Sequence, residues 1–533
     1  MAADDRIKPA QLRRKIRAAE DAAALIPPAA NVGMSGFTGS GHPKAVPVAL
    51  AARIKAAAQT GQRFRLGVWT GAATAPDLDG ALAQVEGIRL LLPYQSDPVT
   101  RREINAGRMD YLDVHLSQVA QLARQGSLGA LDFAVIEAVG ITADGDLIPS
   151  TSVGNNKTWI DHADQVIVEI NARQSAELDG LHDIYYGTAP PPRRVPVPIT
   201  APGDRIGVPH LACPADKIAA IVLTDAPDWS PPFKPADQVC EAIAGHVIEF
   251  LRSEVAAGRL PRDLLPLQSG VGNIANAVLM GLASGPFERL TAYTEVLQDG
   301  MLQLLESGKL LVASSTAFTL SQAASDRLTS QLSRYRGQVI LRPQEITNHP
   351  EVIRRLGCVA MNAMIEADIY GNVNSSHVMG TAMQNGIGGS ADFTRNGSVS
   401  IFVSPSQAKA GAISCIVPMV SHVDHTEHDV NVIITEQGVA DLRGLAPKRR
   451  ARQIIDNCAH PDFRPALEDY FERALATSRA KHTPHLLSEA LSWHERYLSE
   501  GTMHQGRADV PVTPATVTPA VSPDPKRSLS PLG

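Results

Sequence analysis

One local design occurs once in each half of the chain, and it restricts the fold more than any other feature. In the first half, NVGMSGFTGSGHPKAVPVALAARIKAAA (31–58) runs from a short apolar stretch through a glycine-rich turn into a helix after Pro43. In the second half, PLQSGVGNIANAVLMGL (266–282) repeats strand, glycine turn and helix. A strand that turns into a helix needs a parallel strand to return to, so this unit builds α/β domains with right-handed crossovers. Further strand-like runs support it: RFRLGVWTG, GIRLLLPY, LDFAVIEAVG, DQVIVEIN and KIAAIVLT before residue 225, then YTEVL, KLLVASSTAF, QVILRP, IYGNVNSS, ISCIVPMV and VNVIITEQG. Residues 9–26 read as an amphipathic helix, and 445–500 as largely helical.

A chain of 533 residues exceeds a single core. Two proline-rich connections, PPPRRVPVPITAPGDRIGVP and DAPDWSPPFKPAD, mark the break. The expected organisation is therefore an α/β domain over 1–225, a similar α/β domain over 226–504, both with largely parallel sheets, and a tail over 505–533. The tail, rich in Pro, Thr, Ser and Val without periodicity, is expected to be disordered.

The net charge of −6, with no long basic span, argues against nucleic acid or an anionic membrane as partner. No window of about 18 apolar residues offers a membrane span. The five cysteines, Cys213, Cys240, Cys358, Cys415 and Cys458, form no C-x-x-C pair, which is the usage of a reduced cytoplasmic enzyme.

Against this background one carboxylate stands out. In AYTEVLQDGML, Glu295 interrupts an apolar run near the expected carboxyl end of a strand. Gln298-Asp299-Gly300 then reads as a turn, and Met301, Leu302, Leu304 and Leu305 as a helix. Ligands of parallel sheets bind at such strand ends. Two glycine loops are candidate neighbours. In QSGVGNIANAV, Gly270 and Gly272 would bring backbone amides near Val271 to a helix start favouring negative charge. In NGIGGSADF, Gly386, Gly388 and Gly389 would expose further N–H groups. Each loop alone is equally an ordinary turn or a flexible lid; together, beside a carboxylate, they would make an oxyanion hole. Asn348 in EITNHPEVIRRLG is either a helix N-cap or an amide donor toward an acyl oxygen. Glu436, in TEQG, ends another strand and would orient a neighbour or cap a helix. His422, His425 and His428, with Asp424, suggest zinc at first sight. Their period of three fits neither a strand face nor a helical zinc motif, so bracing hydrogen bonds are expected and no metal. PSTSVGNN (149–156) and Gly33 to Pro43 would shape a pocket or simply make turns.

Read together, these segments, with LDGLHDIY, DIYGNVNSSHV and GFTGSGHPKAVP, resemble the acetyl-CoA hydrolase/transferase family of class I CoA-transferases over residues 10–504, and within it the succinyl-CoA:acetate type. The resemblance implies two CoA-transferase-type domains, usually in a homodimer. It implies Glu295 as nucleophile, forming a glutamyl-CoA thioester, with the amides of Val271 and Gly389 as oxyanion donors and Asn348 as a further donor; Glu436, placed after a strand as Glu295 is, stays a candidate to orient a catalytic group. It places coenzyme A contacts on Leu267, Gln268, Ser269, Gly270, Val271, Ile365, Asn385, Gly389 and Lys409. No cofactor is implied beyond the substrate coenzyme A, and the partners are acyl-CoA and small carboxylates. No cation for a dicarboxylate substrate is visible by motif. An acetyl-CoA hydrolase using the same residues, and a non-catalytic acyl-CoA-binding protein, are the competing readings.

Overall fold

The computed structural model describes residues 3–230 and 236–505; the expectation of a disordered tail falls almost wholly outside them. The chain is mixed α/β and carries two eight-stranded, largely parallel sheets. The first is ordered Asp110–Tyr111, Ile88–Leu92, Leu66–Trp69, Asn31–Met34, Leu131–Ile141, Ala163–Asn171, Ile218–Thr224, with Leu147–Pro149 antiparallel on Leu131–Ile141. The second is ordered Val339–Leu341, Leu310–Ser315, Leu290–Tyr293, Leu267–Ser269, Val359–Ala363, Val399–Val403, Val432–Thr435, closed by the antiparallel Gly438–Asp441.

In each sheet the strand order reverses beside the strand that opens the glycine unit. Asn31–Met34 lies between Leu66–Trp69 and Leu131–Ile141, and Leu267–Ser269 lies between Leu290–Tyr293 and Val359–Ala363. Chain connections leave in opposite directions at such a point and open a crevice beyond the strand ends. The two crevices face one another. Thr38, just past the first, hydrogen-bonds through its hydroxyl to Thr319 of the second domain at 2.9 Å. Val153 N donates to Thr316 O at 2.8 Å, and Phe318 N to Thr151 O at 3.1 Å. A fully buried Arg342 also joins the halves: it pairs with Asp183 and donates to Ser314 Oγ and to the carbonyl oxygens of Pro202 and Asp204.

The glycine units fold as their sequences direct. Gly272 has φ of +137°, a conformation that L side chains rarely adopt, and the helix Asn273–Ser284 starts at once. The helix after Pro43 spans Ala45–Gln59. Two expectations give way to tertiary contacts. Residues 9–26 form two short helices, Ala10–Arg13 and Ala19–Ala24, because the segment between them pairs with the sheet edge: Arg17 N donates to Ile221 O at 3.0 Å and Ile221 N to Lys15 O at 2.9 Å. Gln298-Asp299-Gly300 is no turn. Gln298 ends a short strand, Val296–Gln298, and the helix Asp299–Glu306 begins at the next residue. A Cβ on Gly300 would lie 2.6 Å from Leu279 Cβ, so this glycine serves close helix contact rather than chain reversal.

Candidate active site

Glu295 lies where a strand pair bends out of its sheet. Leu290–Tyr293 pairs with Leu310–Ser315 inside the large sheet; beyond the bend, Val296–Gln298 pairs with Ala317–Thr319 as a separate ribbon. The bend is pinned at Glu295 itself, whose carbonyl accepts from Thr316 N at 2.8 Å and Ala317 N at 3.2 Å. Its side chain is thereby aimed out of the sheet into the crevice between the domains.

A cavity of about 280 Å³ surrounds it. Gly270 and Val271 come from the switch-point loop of the second domain, Asn362 to Ile365 from the neighbouring strand end, and Asn385 to Ser390 from the other glycine loop of that domain. The first domain closes the other side with Phe37, Thr38, Ala72, Tyr94 and Leu116. Among the described residues lining this cavity Glu295 alone carries a formal charge. Phe37, Ala72, Leu116 and Val296 pack as one apolar cluster with Tyr94 against it. That wall is unreadable in sequence, since its members look like ordinary core residues.

The electrostatics follow from this enclosure. Asn348 Nδ2 donates to Glu295 Oε1 at 2.6 Å, a charge-assisted contact. Asn348 is not an N-cap; it follows the short helix Gln344–Thr347 at its C-cap position and precedes the helix Pro350–Leu356, whose own N-cap is His349. Burial pushes the Glu295 carboxyl up from 4.5 to about 7; the Asn348 amide pulls against this and the Asp392 carboxylate adds to it. Burial likewise raises Tyr94 to about 12, with Glu295 contributing.

Gly389 approaches Glu295 more closely than any side chain would allow. A Cβ there would lie 1.5 Å from Glu295 Oε1 and 2.2 Å from Asn348 Nδ2. Its φ of −98° suits any residue, so space and not conformation demands glycine. Its loop is held from the first domain: Ile387 N donates to both oxygens of Asp113 at 3.1 and 3.0 Å, and Gly386 leaves no room beside Tyr111 and Asp113. From the other side His425 Nε2 lies 3.2 Å from Ser390 Oγ and 3.4 Å from Ser375 Oγ. Burial keeps His425 neutral, its value lowered to about 4. Among the described residues no group of three His, Cys, Asp or Glu side chains is arranged to hold a metal ion.

Of the residues singled out in the sequence, Glu295, Gly270, Val271, Ile365, Asn385 and Gly389 line this one cavity, and Asn348 touches Glu295. Leu267, Gln268 and Ser269 are buried beneath the loop. Gln268 accepts from Met361 N at 3.1 Å and exchanges hydrogen bonds with Asn362, so it stiffens the strand ends under the pocket. Lys409 is exposed on the hairpin of Gln407–Ala408 and Ile413–Ser414, away from the lining. Glu436 is occupied by the Ser406 amide and hydroxyl and by Gln437, also outside the lining. Sequence reasoning passed over Asp113, Ser117, Tyr94 and Asp392, and took for part of a turn Gln298, whose Nε2 braces Gly270 O at 2.7 Å.

The raised carboxyl has a consequence for stability. The folded chain keeps this proton up to about pH 7, while an ordinary exposed glutamate releases it near 4.5. Folding stability from this group thus declines as pH rises through that window. Glu295→Gln is expected to stabilise the protein by about 1–3 kcal/mol above neutrality. The gap in Tm between variant and wild type should be wide near pH 8 and close near pH 5; a gap that does not change with pH excludes a raised carboxyl here.

Comparison with known proteins places this architecture. Residues 1–222 match the model of the acetyl-CoA hydrolase/transferase N-terminal domain, and residues 325–471 that of the C-terminal domain. A succinyl-CoA:acetate CoA-transferase of Clostridium kluyveri is 48% identical over 94% of this chain and 92% of its own length. A propanoyl-CoA:succinate CoA transferase of Escherichia coli is 43% identical, over 91% of this chain and 98% of its own. An acetyl-CoA hydrolase of Schizosaccharomyces pombe is 43% identical, over 93% and 98%. Among solved structures, RipA from Yersinia pestis shares the fold with a TM-score of 0.66 at 22% identity, covering 87% of this chain and 98% of that one. With both domain models matched, and relatives this similar along nearly the whole length, the chain belongs to the acetyl-CoA hydrolase/transferase family.

Proposed function

We propose that the protein exchanges coenzyme A between an acyl-CoA and a small carboxylic acid, with succinyl-CoA and acetate as the pair, through a covalent intermediate on Glu295. The observation that carries this reading is the lone carboxylate in a small, otherwise uncharged cavity between two glycine loops. The Glu295 carboxylate attacks the thioester carbonyl, and the carbon–sulfur bond breaks to give an acyl–glutamyl anhydride and CoA thiolate. The thiolate attacks the glutamyl carbonyl, releasing the first acid and leaving a glutamyl-CoA thioester. The acceptor carboxylate attacks that thioester, and the same steps in reverse deliver the new acyl-CoA and restore Glu295. Covalent catalysis divides one difficult exchange into easier steps.

Each step passes through a tetrahedral oxyanion, for which the amides of Val271 and Gly389 and the Asn348 side chain are the donors. Leu267, Gln268 and Ser269 support the first donor loop, Lys409 would meet the distant part of coenzyme A, and Glu436 orders the Ser406 loop. The thioester energy is retained in the anhydride and the glutamyl thioester, so no cofactor or metal is required beyond the substrate coenzyme A. The apolar wall of Phe37, Leu116 and Val296 shields these intermediates from water, which favours transfer over hydrolysis. The same reading takes the protein as a cytoplasmic homodimer; its five cysteines are all free and buried.

An exchange assay tests it. Labelled acetate should enter acetyl-CoA when succinyl-CoA is the donor, without release of free thiol. Stoichiometric thiol release with no acid acceptor would instead make it a hydrolase, the activity named for its fungal relatives. Binding of acyl-CoA without turnover would make it a non-catalytic binding protein.

A further inference from the structure

The Asn348 side chain is held in one orientation by a carboxylate that no step above uses. Its Oδ1 accepts from Thr347 Oγ1 at 3.0 Å, and its Nδ2 faces two carboxylates, Glu295 Oε1 at 2.6 Å and Asp392 Oδ2 at 3.4 Å. An amide flipped by half a turn would set its oxygen against both acids. Asp392 is itself fixed from the other domain: Ser117 Oγ donates to its Oδ1 at 2.6 Å and Ser117 N to its Oδ2 at 3.0 Å. Ser117 N is a first-turn amide of the helix Leu116–Arg124, one of the donors a helix leaves unpaired. Asp392 is 5% exposed and stands three residues after Gly389.

We infer that Asp392 is a positioning residue: it locks the Asn348 amide with its N–H toward Glu295 and, through Ser117, fixes the Gly389 loop to the first domain. The inference rests on Glu295 being the group that takes up the acyl chain and coenzyme A. Asp113 grips the same loop at Ile387, so the segment 113–117 holds both flanks of Gly389. Asp392 also acts on Glu295 by charge, raising its carboxyl. Burial holds Asp392 itself up near 6, with Ser117, His115 and Asn348 acting against it. The remaining titratable neighbours are Tyr94 against Glu295, and Asp113, Asp424 and His425 along the loop; none is altered by the substitutions below.

Two variants separate orientation from charge. In Asp392→Asn, the amide oxygen still accepts from Ser117 N and Asn348, and its NH₂ donates to the Ser117 hydroxyl; geometry survives and the charge is gone. In Asp392→Ala both are lost. The readout is the rate of coenzyme A attachment to Glu295 on mixing with acyl-CoA alone, followed by intact-protein mass across pH. Asp392→Ala should slow attachment about tenfold to a hundredfold, the scale of a misplaced catalytic group, with KM for acyl-CoA little changed. Asp392→Asn should attach at near wild-type rate, with its acid limb moved to lower pH. Wild-type rates in Asp392→Ala overturn the role. If that variant does not fold, Ser117→Ala decides, because it removes the hydroxyl that ties Asp392 to the first domain: slowed attachment in it supports the role, and attachment at the wild-type rate overturns it. Absence of any attachment in the wild type removes Glu295 as nucleophile, and the role of Asp392 with it.

Discussion

Glu295→Ala is expected to fold normally and to lose CoA exchange by about 10⁴-fold or more, the scale on which enzymes lose activity when their nucleophile is deleted. The structure explains both halves of this expectation. The side chain contributes one hydrogen bond, from Asn348, and faces a cavity rather than a packed core. Its removal enlarges a space that already exists, and Asn348 keeps Asp392 and Thr347 as partners. The bend that positions residue 295 is held by its carbonyl, which alanine retains. Chemically, nothing replaces the carboxylate: among the described residues no other charged group lines the cavity. Transfer of labelled acid into acyl-CoA, with Tm as the control for folding, measures the loss. Residual exchange above about one hundredth of wild type in a folded variant is incompatible with covalent catalysis at this position. The rate of the wild-type enzyme should also rise with pH through about 7, because only the ionised carboxylate attacks the thioester.

The second large effect is expected from a single methyl group. Gly389→Ala places a carbon 1.5 Å from Glu295 Oε1 and 2.2 Å from Asn348 Nδ2, distances that no rotamer adjustment of alanine relieves. Either the carboxylate swings away or the loop retreats and withdraws its amide. Both outcomes separate nucleophile from oxyanion donor, and loss of one such donor costs about 10²–10³ in rate. The neighbouring Gly388→Ala is the informative contrast. Gly388 has φ of +61°, so alanine strains the backbone there, but its Cβ would meet only Tyr94 at 3.7 Å. That variant should lose stability by about 1 kcal/mol through the left-handed conformation while keeping far more activity. Measured kcat for the two variants, with thermal unfolding beside it, distinguishes space from strain. Activity of Gly389→Ala within tenfold of wild type would mean that this loop does not meet Glu295 during turnover.

Residue patterns determined the parts of this protein that depend on near neighbours. Alternating apolar strands, glycine turns and helices announced two α/β units, because the hydrogen bonds and dihedral preferences that make them are satisfied within a few residues. Gly272 with its positive φ and the helix Asn273–Ser284 behind it are the clearest case. Glu295 was conspicuous for the same reason, a charge in a locally apolar run. Local reading failed where a distant segment outbid the local preference: the middle of 9–26 left its helix for the edge at Ile221, and Gly300 serves a helix contact with Leu279 instead of a turn.

The site was decided by the tertiary structure. Asp392 and Ser117 lie 275 residues apart in the chain and 2.6 Å apart in space. Each looks locally like an ordinary first-turn polar residue, and neither carries a pattern that points to the other. Phe37, Leu116 and Val296 likewise read as core until two switch-point crevices are brought face to face. The physical reason is that a carboxylate's charge state and the orientation of an amide depend on the solvent removed and the donors supplied by the opposite domain. Those quantities arise only when the two sheets close over the same small volume.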